Sequence, residues 1–192
     1  MKKAILITLA VLAASGWACG FAHPEELKYN VLLAGGPESN DIHIWLTPDG
    51  RTYVIESIVP LEVGGTVCEN PPGMPNELNC QAARVSGFEV NADAGDDQVR
   101  VAPSVSVPVT LRGGPGRDVL VGGSGADRLY GGAGADKLVG RDGDDVLVGG
   151  PGSDQLFGGP GNDVLKGGPG RDTIAGGPGE NVVHQSAFGP PL

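Results

Sequence analysis

A single aliphatic residue recurs every nine positions between residues 113 and 184. The residue before it varies between apolar and charged types, as Val119, Arg128 and Lys137 show. Because neighbouring side chains of a strand point to opposite faces, this pattern predicts three-residue strands with the central side chain buried. The recurring residues are Leu120, Leu129, Leu138, Leu147, Leu156, Leu165, Ile174 and Val183.

The six residues that precede each of these strands are equally regular. Their first and fourth positions are Gly in all eight units, the second is Gly except at Arg141, and the sixth is Asp except at Asn181. Gly tolerates positive φ and close backbone approach, so each six-residue segment is predicted to be a tight turn. Arg141 puts a side chain where Gly is expected, which predicts a looser turn there.

Strand and turn together make a nine-residue unit, and two units are predicted to form one coil of the chain. Successive strands would then alternate between two short parallel sheets that face each other across the aliphatic file. The composition agrees, because 192 residues include 34 Gly and only 5% aromatic residues, too few for an ordinary core. Gly does not recur at every third position, which excludes a collagen helix. The sequence therefore predicts an all-β solenoid.

These GGxGxDxUx units resemble the RTX (repeats-in-toxin) family of haemolysin-type calcium-binding repeats. The resemblance covers residues 113–184 and implies a right-handed parallel β-roll. It also implies that each Ca²⁺ lies between the turns of units n and n+2. The sixth-position Asp of both units and carbonyl groups of the Gly-rich turns would be the ligands.

The resemblance implies two sets of ligand candidates and about five or six Ca²⁺ ions, each with six to eight oxygen ligands. The sixth-position candidates are Asp118, Asp127, Asp136, Asp145, Asp154, Asp163, Asp172 and Asn181. The glycines are Gly113, Gly116, Gly122, Gly125, Gly131, Gly134, Gly140, Gly143, Gly149, Gly152, Gly158 and Gly161. The implied pairs are Asp118 with Asp136, Asp127 with Asp145, Asp136 with Asp154, Asp145 with Asp163, Asp154 with Asp172, and a weaker Asp163 with Asn181.

The energetics of one unit indicate that metal and fold are coupled. Burying one Leu contributes about 1.5–3 kcal/mol, whereas fixing each backbone residue costs about 1–2 kcal/mol. Stacked Asp carboxylates repel one another as well. A divalent cation between the turns reverses that repulsion, and Ca²⁺ accepts irregular oxygen ligands more readily than Mg²⁺ does. We therefore expect calcium binding and folding to be one event.

The repeat is also predicted to extend, in weaker form, towards the N-terminus. Residues 92–100 hold Gly95, Asp97 and Val99 at positions four, six and eight, so Asp97 is a further ligand candidate. Residues 101–112 fit either a linker or a longer coil of the solenoid.

Residues 23–91 are predicted to be a small β region. Ile42 and Ile44 alternate with more polar neighbours, and a Pro-Asp-Gly turn at residues 48–50 follows, which favours a hairpin. Residues 35–42 also echo the repeat loosely. The region is therefore either a separate domain or a set of irregular coils that caps the solenoid.

Residues 1–22 are typical of a secretory signal. Two lysines precede an apolar run, and Gly20 and Ala22 are small residues placed for cleavage after residue 22. The run is too short to span a bilayer. A membrane anchor and lipidation at Cys19 are the alternatives. The sequence predicts a secreted, extracellular or cell-surface protein without a transmembrane segment after cleavage.

Cleavage would leave Cys68 and Cys80 as the two cysteines of the mature chain. An even pair in an exported protein predicts a disulfide across the Pro-rich segment between them. A zinc site is the alternative, but no His lies near the pair in the sequence.

The formal charge of −10 is opposite to that of nucleic-acid-binding proteins and attracts divalent cations. The sequence contains no HExxH, GxSxG or Walker A motif, and its three His are dispersed. We therefore predict that the protein is not an enzyme and does not bind nucleic acid.

The leading hypothesis is a secreted calcium-binding protein with a structural or adhesive role at the cell surface. One alternative is a calcium-dependent hydrolase with its activity in residues 23–91. Another is a module that binds a cell-surface polysaccharide or protein through Trp45 and Tyr53. The predicted division is a signal at 1–22, a β region at 23–91, a degenerate repeat and linker at 92–112, the β-roll at 113–184 and a tail at 185–192.

Overall fold

The computed structural model describes residues 5–6, 29–57, 61–62, 68–69, 71–74 and 76–185. The predicted signal lies outside these residues except for Ile5–Leu6. The first nine strands are β1 Ile5–Leu6, β2 Tyr29–Ala34, β3 Asp41–Leu46, β4 Thr52–Ser57, β5 Leu61–Glu62, β6 Cys68–Glu69, β7 Glu77–Gln81, β8 Val85–Asn91 and β9 Gln98–Val101. The other nine are β10 Val109–Pro115, β11 Val119–Val121, β12 Arg128–Ala133, β13 Lys137–Val139, β14 Val146–Val148, β15 Gln155–Phe157, β16 Val164–Lys166, β17 Thr173–Ala175 and β18 Val182–His184. A 3₁₀ turn spans Ala82–Arg84.

The strands from β8 onward alternate between two sheets. One sheet has the order β18-β16-β14-β12-β10-β8-β2 and is parallel throughout. The other has the order β17-β15-β13-β11-β9-β3-β4-β7-β6 and is parallel as far as β3. In the repeats each residue pairs with the one eighteen positions later, as Leu120 does with Leu138. The predicted all-β solenoid, with parallel sheets in about five turns, is confirmed.

The core is the file of aliphatic side chains between the two sheets. The recurring leucines of the repeats up to Leu165 are fully buried, and Ile174 is partly buried. Val183 of the last coil is 49% exposed, because in the described part of the chain no further coil covers it. The same core continues through Val99 and Val90 to Ile42 and Val31. The aliphatic period predicted from the sequence therefore marks the inward positions.

The N-terminal strands extend the two sheets of the repeats. Strand β2 pairs in parallel with β8, and β3 pairs in parallel with β9. Strand β3 also forms the antiparallel hairpin with β4, across a turn in which Thr47 and Asp49 hydrogen-bond. Tyr53 of β4 packs edge-on against Phe88 of β8, with ring centroids 5.1 Å apart. Residues 101–112 are a coil of the solenoid, in which Val105 and Val109 are buried.

Cys68 and Cys80 are joined by a disulfide, as predicted. The two residues are partners on the antiparallel strands β6 and β7, and both are buried. The bond fixes the edge of the sheet beyond the hairpin. Because both sulfurs are bonded to each other, the zinc alternative is excluded.

Replacing Leu147 by Ala is expected to lower the free energy of unfolding, measured in excess calcium, by about 2–5 kcal/mol. The substitution leaves a cavity in the single row of aliphatic side chains that forms the core. Val164→Ala is the matched control, since Val164 is 37% exposed on the next strand of the same sheet. Its expected effect is about 0.5 kcal/mol or less. Equal losses for the two variants in denaturant unfolding would contradict the inward placement of Leu147.

Candidate metal centre

The sixth-position residues of the turns form two columns, one on each side of the solenoid. Column A contains Asn40, Asp97, Asp118, Asp136, Asp154 and Asp172. Column B contains Asp127, Asp145, Asp163 and Asn181. Every Asp in the columns is at most 8% exposed. A loop is the six-residue segment whose last residue is a member of a column. A gap is the space between two successive loops of the same column.

One carboxylate oxygen of each Asp is held by the loop before it. The backbone N–H of Asp118 donates to Oδ1 of Asp136 at 2.9 Å, and this bond recurs down both columns at 2.6–3.1 Å. At the head of column B the donor is the Val109 N–H. All six pairs implied by the sequence are neighbours in these columns. Asp97 stands between Asn40 and Asp118, in line with the regular repeats.

The second carboxylate oxygen is buried and has no hydrogen-bond partner in most of the columns. In the described part of the chain this holds for Oδ2 of seven residues, namely Asp97, Asp118, Asp136, Asp145, Asp154, Asp163 and Asp172. A buried ionised oxygen without a donor is costly. Its repetition at one position of the repeat indicates a site that something other than a protein donor completes.

The first-position glycines show what faces these orphan oxygens. A Cβ placed on Gly131 would overlap Oδ2 of Asp136 and would lie 2.7 Å from the carbonyl oxygen of Gly149 in the next loop. The same arrangement recurs at five further glycines, Gly113, Gly122, Gly140, Gly149 and Gly158. Each Oδ2 thus shares a small space with a backbone carbonyl oxygen. Gly is required there because a side chain would fill that space.

Further carbonyl oxygens point down each column from positions two and four. Gly134, with φ of 150°, lies directly below the carbonyl oxygen of Gly116, so closely that a Cβ at Gly134 would overlap it. Gly132 lies in the same way below Gly114. The gaps are therefore lined by carboxylate and carbonyl oxygens, the donor set that Ca²⁺ prefers. In the described residues no three His, Cys, Asp or Glu side chains form a metal-binding group, and a cation in a gap would need backbone oxygens among its ligands.

The two asparagines at position six show the same space satisfied by protein. Asn40 Nδ2 donates to Glu38 O at 2.7 Å, to Ala92 O at 3.0 Å and to Asp97 Oδ1 at 3.0 Å. At the far end of column B, Asn181 Nδ2 donates to Gly177 O at 2.9 Å. In the loops that end in Asp, carboxylate Oδ2 takes the place of the amide nitrogen and faces the backbone carbonyl oxygens. A cation fits the place that the amide nitrogen takes in the asparagine loops.

Burial shifts the titration of the column carboxyl groups. It raises the pKa of Asp118 and Asp145 to about 7, and the pKa of Asp127 and Asp136 to about 6, from an ordinary 3.8. The N–H bonds to Oδ1 offset part of this rise in pKa, while neighbouring carboxylates of the column raise the pKa of Asp118 further. Burial also raises the pKa of Asp97, Asp154 and Asp163. Burial therefore shifts these carboxyl groups towards the neutral form.

Two residues at the N-terminal ends of the columns were not recognised as important from the sequence. Asn40 was not assigned to a column, although residues 35–42 echo the repeat. Arg141 was expected only to loosen its turn. Its guanidinium instead donates to the carbonyl groups of Val101 and Gly122. The missing Gly at position two was the one signal for it.

The aromatic residues considered as binding contacts differ in exposure. Tyr53 is 4% exposed and packs in the core, whereas Trp45 is half-buried on β3. Tyr53 is therefore not available to a partner. Within the described residues, no helix is both long enough and apolar enough to cross a membrane.

Comparison with known proteins gives one family match. Residues 112–147 and 148–183 match the family model described as RTX calcium-binding nonapeptide repeat (4 copies). No curated protein and no solved structure matches the chain. The match coincides with the regular coils of the solenoid, and column A continues beyond it to Asp97 and Asn40.

Proposed function

We propose that this chain, which carries RTX calcium-binding repeats in residues 112–183, is a calcium-binding structural protein whose coils are held together by Ca²⁺ ions in the gaps of columns A and B. One observation carries the proposal: a buried carboxylate oxygen without a donor faces backbone carbonyl oxygens in one gap after another. A hard divalent cation satisfies all of these oxygens at once.

The ligands follow from what lines each gap. The sixth-position Asp of the upper loop would contribute Oδ2, and the next loop would contribute its first-position carbonyl and its own Asp. Gly carbonyls of the turns complete the set. The gaps whose upper loop begins with Gly and whose upper Asp has an orphan Oδ2 are Asp118/Asp136, Asp136/Asp154, Asp154/Asp172, Asp145/Asp163 and Asp163/Asn181. We propose one ion in each of these five gaps.

Calcium would decide whether the regular coils are stable at all. Without a cation, the buried carboxylates of a column either ionise beside one another or take up protons, as their raised pKa values indicate. Burial of one Leu per unit contributes only about 1.5–3 kcal/mol. Since the ligands come from separate coils, binding and folding are coupled.

The protein would act outside the cell. The signal-like residues 1–22 and the Cys68–Cys80 disulfide support export, because disulfides persist in oxidising compartments. Extracellular calcium modules bind at about 10⁻⁴–10⁻³ M, so the chain would fold on reaching calcium outside. A stiff acidic roll of this kind suits a structural or adhesive role at the cell surface, and recovery of the protein only from the cell interior would argue against that role.

Calcium titration followed by far-UV circular dichroism tests the proposal. We expect a cooperative gain of β signal with Ca²⁺, reversal by a chelator, and little response to Mg²⁺, which requires a smaller and more regular octahedron. A β spectrum that is the same with calcium and with chelator would mean that the columns are structural without metal, and the proposal would fail.

A further inference from the structure

We propose that the chain supplies its own substitutes for calcium at the N-terminal end of each column, the amide of Asn40 in column A and the guanidinium of Arg141 in column B. The first coils would then fold without calcium and serve as a platform for the calcium-dependent coils. This inference rests on the proposed calcium function of the other gaps.

Asn40 fills the first gap of column A. Asn40 is only 2% exposed. Its Nδ2 lies within 3.3 Å of four oxygen atoms, which are three backbone carbonyl oxygens and Oδ1 of Asp97. A Cβ on Gly35 would lie 2.8 Å from Asn40 Nδ2 and would overlap Ala92 O. This is the cradle of the repeats, with a nitrogen where the other loops hold a carboxylate oxygen. The carbonyl of Ala92 and Oδ1 of Asp97 in this gap therefore already face a hydrogen-bond donor.

The amide oxygen of Asn40 is consistent with a position at the start of column A. Its Oδ1 is buried and has no hydrogen-bond partner among the described residues. In every later loop the same oxygen accepts an N–H from the loop before it. Asn40 is the first member of column A, and the described chain places no earlier loop above it. The column begins here, with an amide in place of a carboxylate.

Arg141 serves the N-terminal end of column B from loop 140–145, the second loop of that column. It has φ of 81° at a position where the other units have Gly, and its side chain runs back along the column. The guanidinium donates to the carbonyl of Gly122, at 2.7 Å, and to the carbonyl of Val101. Burial raises the pKa of Asp127, and the charge of Arg141 offsets a small part of that rise. A positive charge thus stands among backbone oxygens at the N-terminal end of column B.

Asp127 also differs from every other repeat Asp in its hydrogen bonds. Its Oδ2 accepts the Gly123 N–H at 2.7 Å, whereas Oδ2 of the other six has no partner in the described residues. Both oxygens of Asp127 therefore have donors, because Oδ1 accepts from Val109. The gap between Asp127 and Asp145 does not need a metal ion to satisfy its upper carboxylate.

The substitutes lie where a platform would need them. Asn40 directly precedes β3, and the side chain of Arg141 reaches Val101 of β9, the strand that pairs with β3. All the gaps with orphan Oδ2 atoms lie on the C-terminal side of Asn40 in column A and of Asp127 in column B. Growth of the calcium-dependent coils from a preformed end avoids the cost of nucleating the first coil.

Counting bound calcium in two variants tests the inference. Asn40→Asp replaces the amide donor with a carboxylate oxygen, and Arg141→Gly restores Gly at a positive-φ position and removes the guanidinium. We expect each variant to bind one more Ca²⁺ than the wild type in equilibrium dialysis, and to lose β signal that the wild type keeps in chelator. Asn162→Asp and Arg117→Gly are the controls, because both change the same charge at exposed positions of other loops. Neither control should change the calcium count.

The outcomes separate this inference from the proposed function. If the wild type binds no calcium, the proposed function itself fails. If the wild type binds calcium but both variants bind the same number of ions as their controls, Asn40 and Arg141 are not substitutes for a cation. A wild-type spectrum in chelator without any β signal would equally overturn the calcium-independent platform.

Discussion

Asp136→Asn is expected to remove about two Ca²⁺ ions and yet leave the chelated protein more ordered than the wild type. Asp136 lines two gaps, the one shared with Asp118 above it and the one shared with Asp154 below it. The Asn side chain keeps Oδ1 as the acceptor for the Asp118 N–H. Its Nδ2 places donors against the carbonyl oxygens, as Nδ2 of Asn181 does with Gly177. A costly orphan oxygen becomes a satisfied amide.

Asp136→Ala distinguishes the loss of the calcium ligand from the gain of an amide donor. Ala also removes the calcium ligand, but it leaves the Asp118 N–H without its acceptor, which costs about 1–3 kcal/mol for a buried group. The chelated Ala variant should therefore be no more ordered than the wild type. Calcium counting and circular dichroism in chelator are the measurements. Asp142→Asn, at an exposed position of a neighbouring loop, controls for the change in charge.

The result that would contradict this arrangement is equally definite. If Asp136→Asn binds as many ions as the wild type, its carboxylate is not a ligand. If the Asn and Ala variants are equally disordered in chelator, an amide does not replace the cation at position six, and the interpretation of Asn40 is weakened with it.

The regular coils could be predicted because their sequence period and structural period are the same. A nine-residue unit with one inward residue places Leu120 beside Leu138, so the file, the strand lengths and the Asp neighbours follow from counting. The disulfide followed from the parity of the cysteines. These features depend on local pattern alone.

The N-terminal part could not be predicted in the same way because its spacing changes. Asp97 and Asp118 are neighbours across 21 residues, and Asn40 and Asp97 across 57, so the nine-residue count does not connect them. Strand β3 pairs in parallel on one side and antiparallel on the other, a double role that alternation of Ile42 and Ile44 does not reveal. Long-range geometry decides both cases.

Arg141 illustrates the same limit at one residue. The sequence shows that it breaks the pattern of Gly at position two, but its partner Val101 is 40 positions away. Only the stacking of successive coils brings the two together. A departure from the repeat therefore marked an unusual residue without indicating what it contacts.

In chelator, the protein is expected to gain β signal when the pH falls from about 8 to about 5.5, the reverse of ordinary acid unfolding. Burial raises the pKa of Asp118 and Asp145 to about 7 in the folded, metal-free columns, against 3.8 for an exposed Asp. Between these values the folded state binds more protons than the unfolded state, so stability falls as the pH rises. The stabilisation is complete below the unfolded pKa and is lost as the pH passes through about 6 to 7.

Calcium should invert this dependence, because protons and Ca²⁺ compete for the same carboxylates. We expect the calcium concentration at the midpoint of the circular dichroism transition to rise on acidification, while the chelated protein becomes more ordered. Asp136→Asn provides the control, since it removes one titrating group from the column and should reduce both effects. If β signal in chelator is no greater at about pH 5.5 than at about pH 8, the buried carboxyl groups do not oppose the metal-free fold. The coupling between calcium and folding would then need a different physical origin.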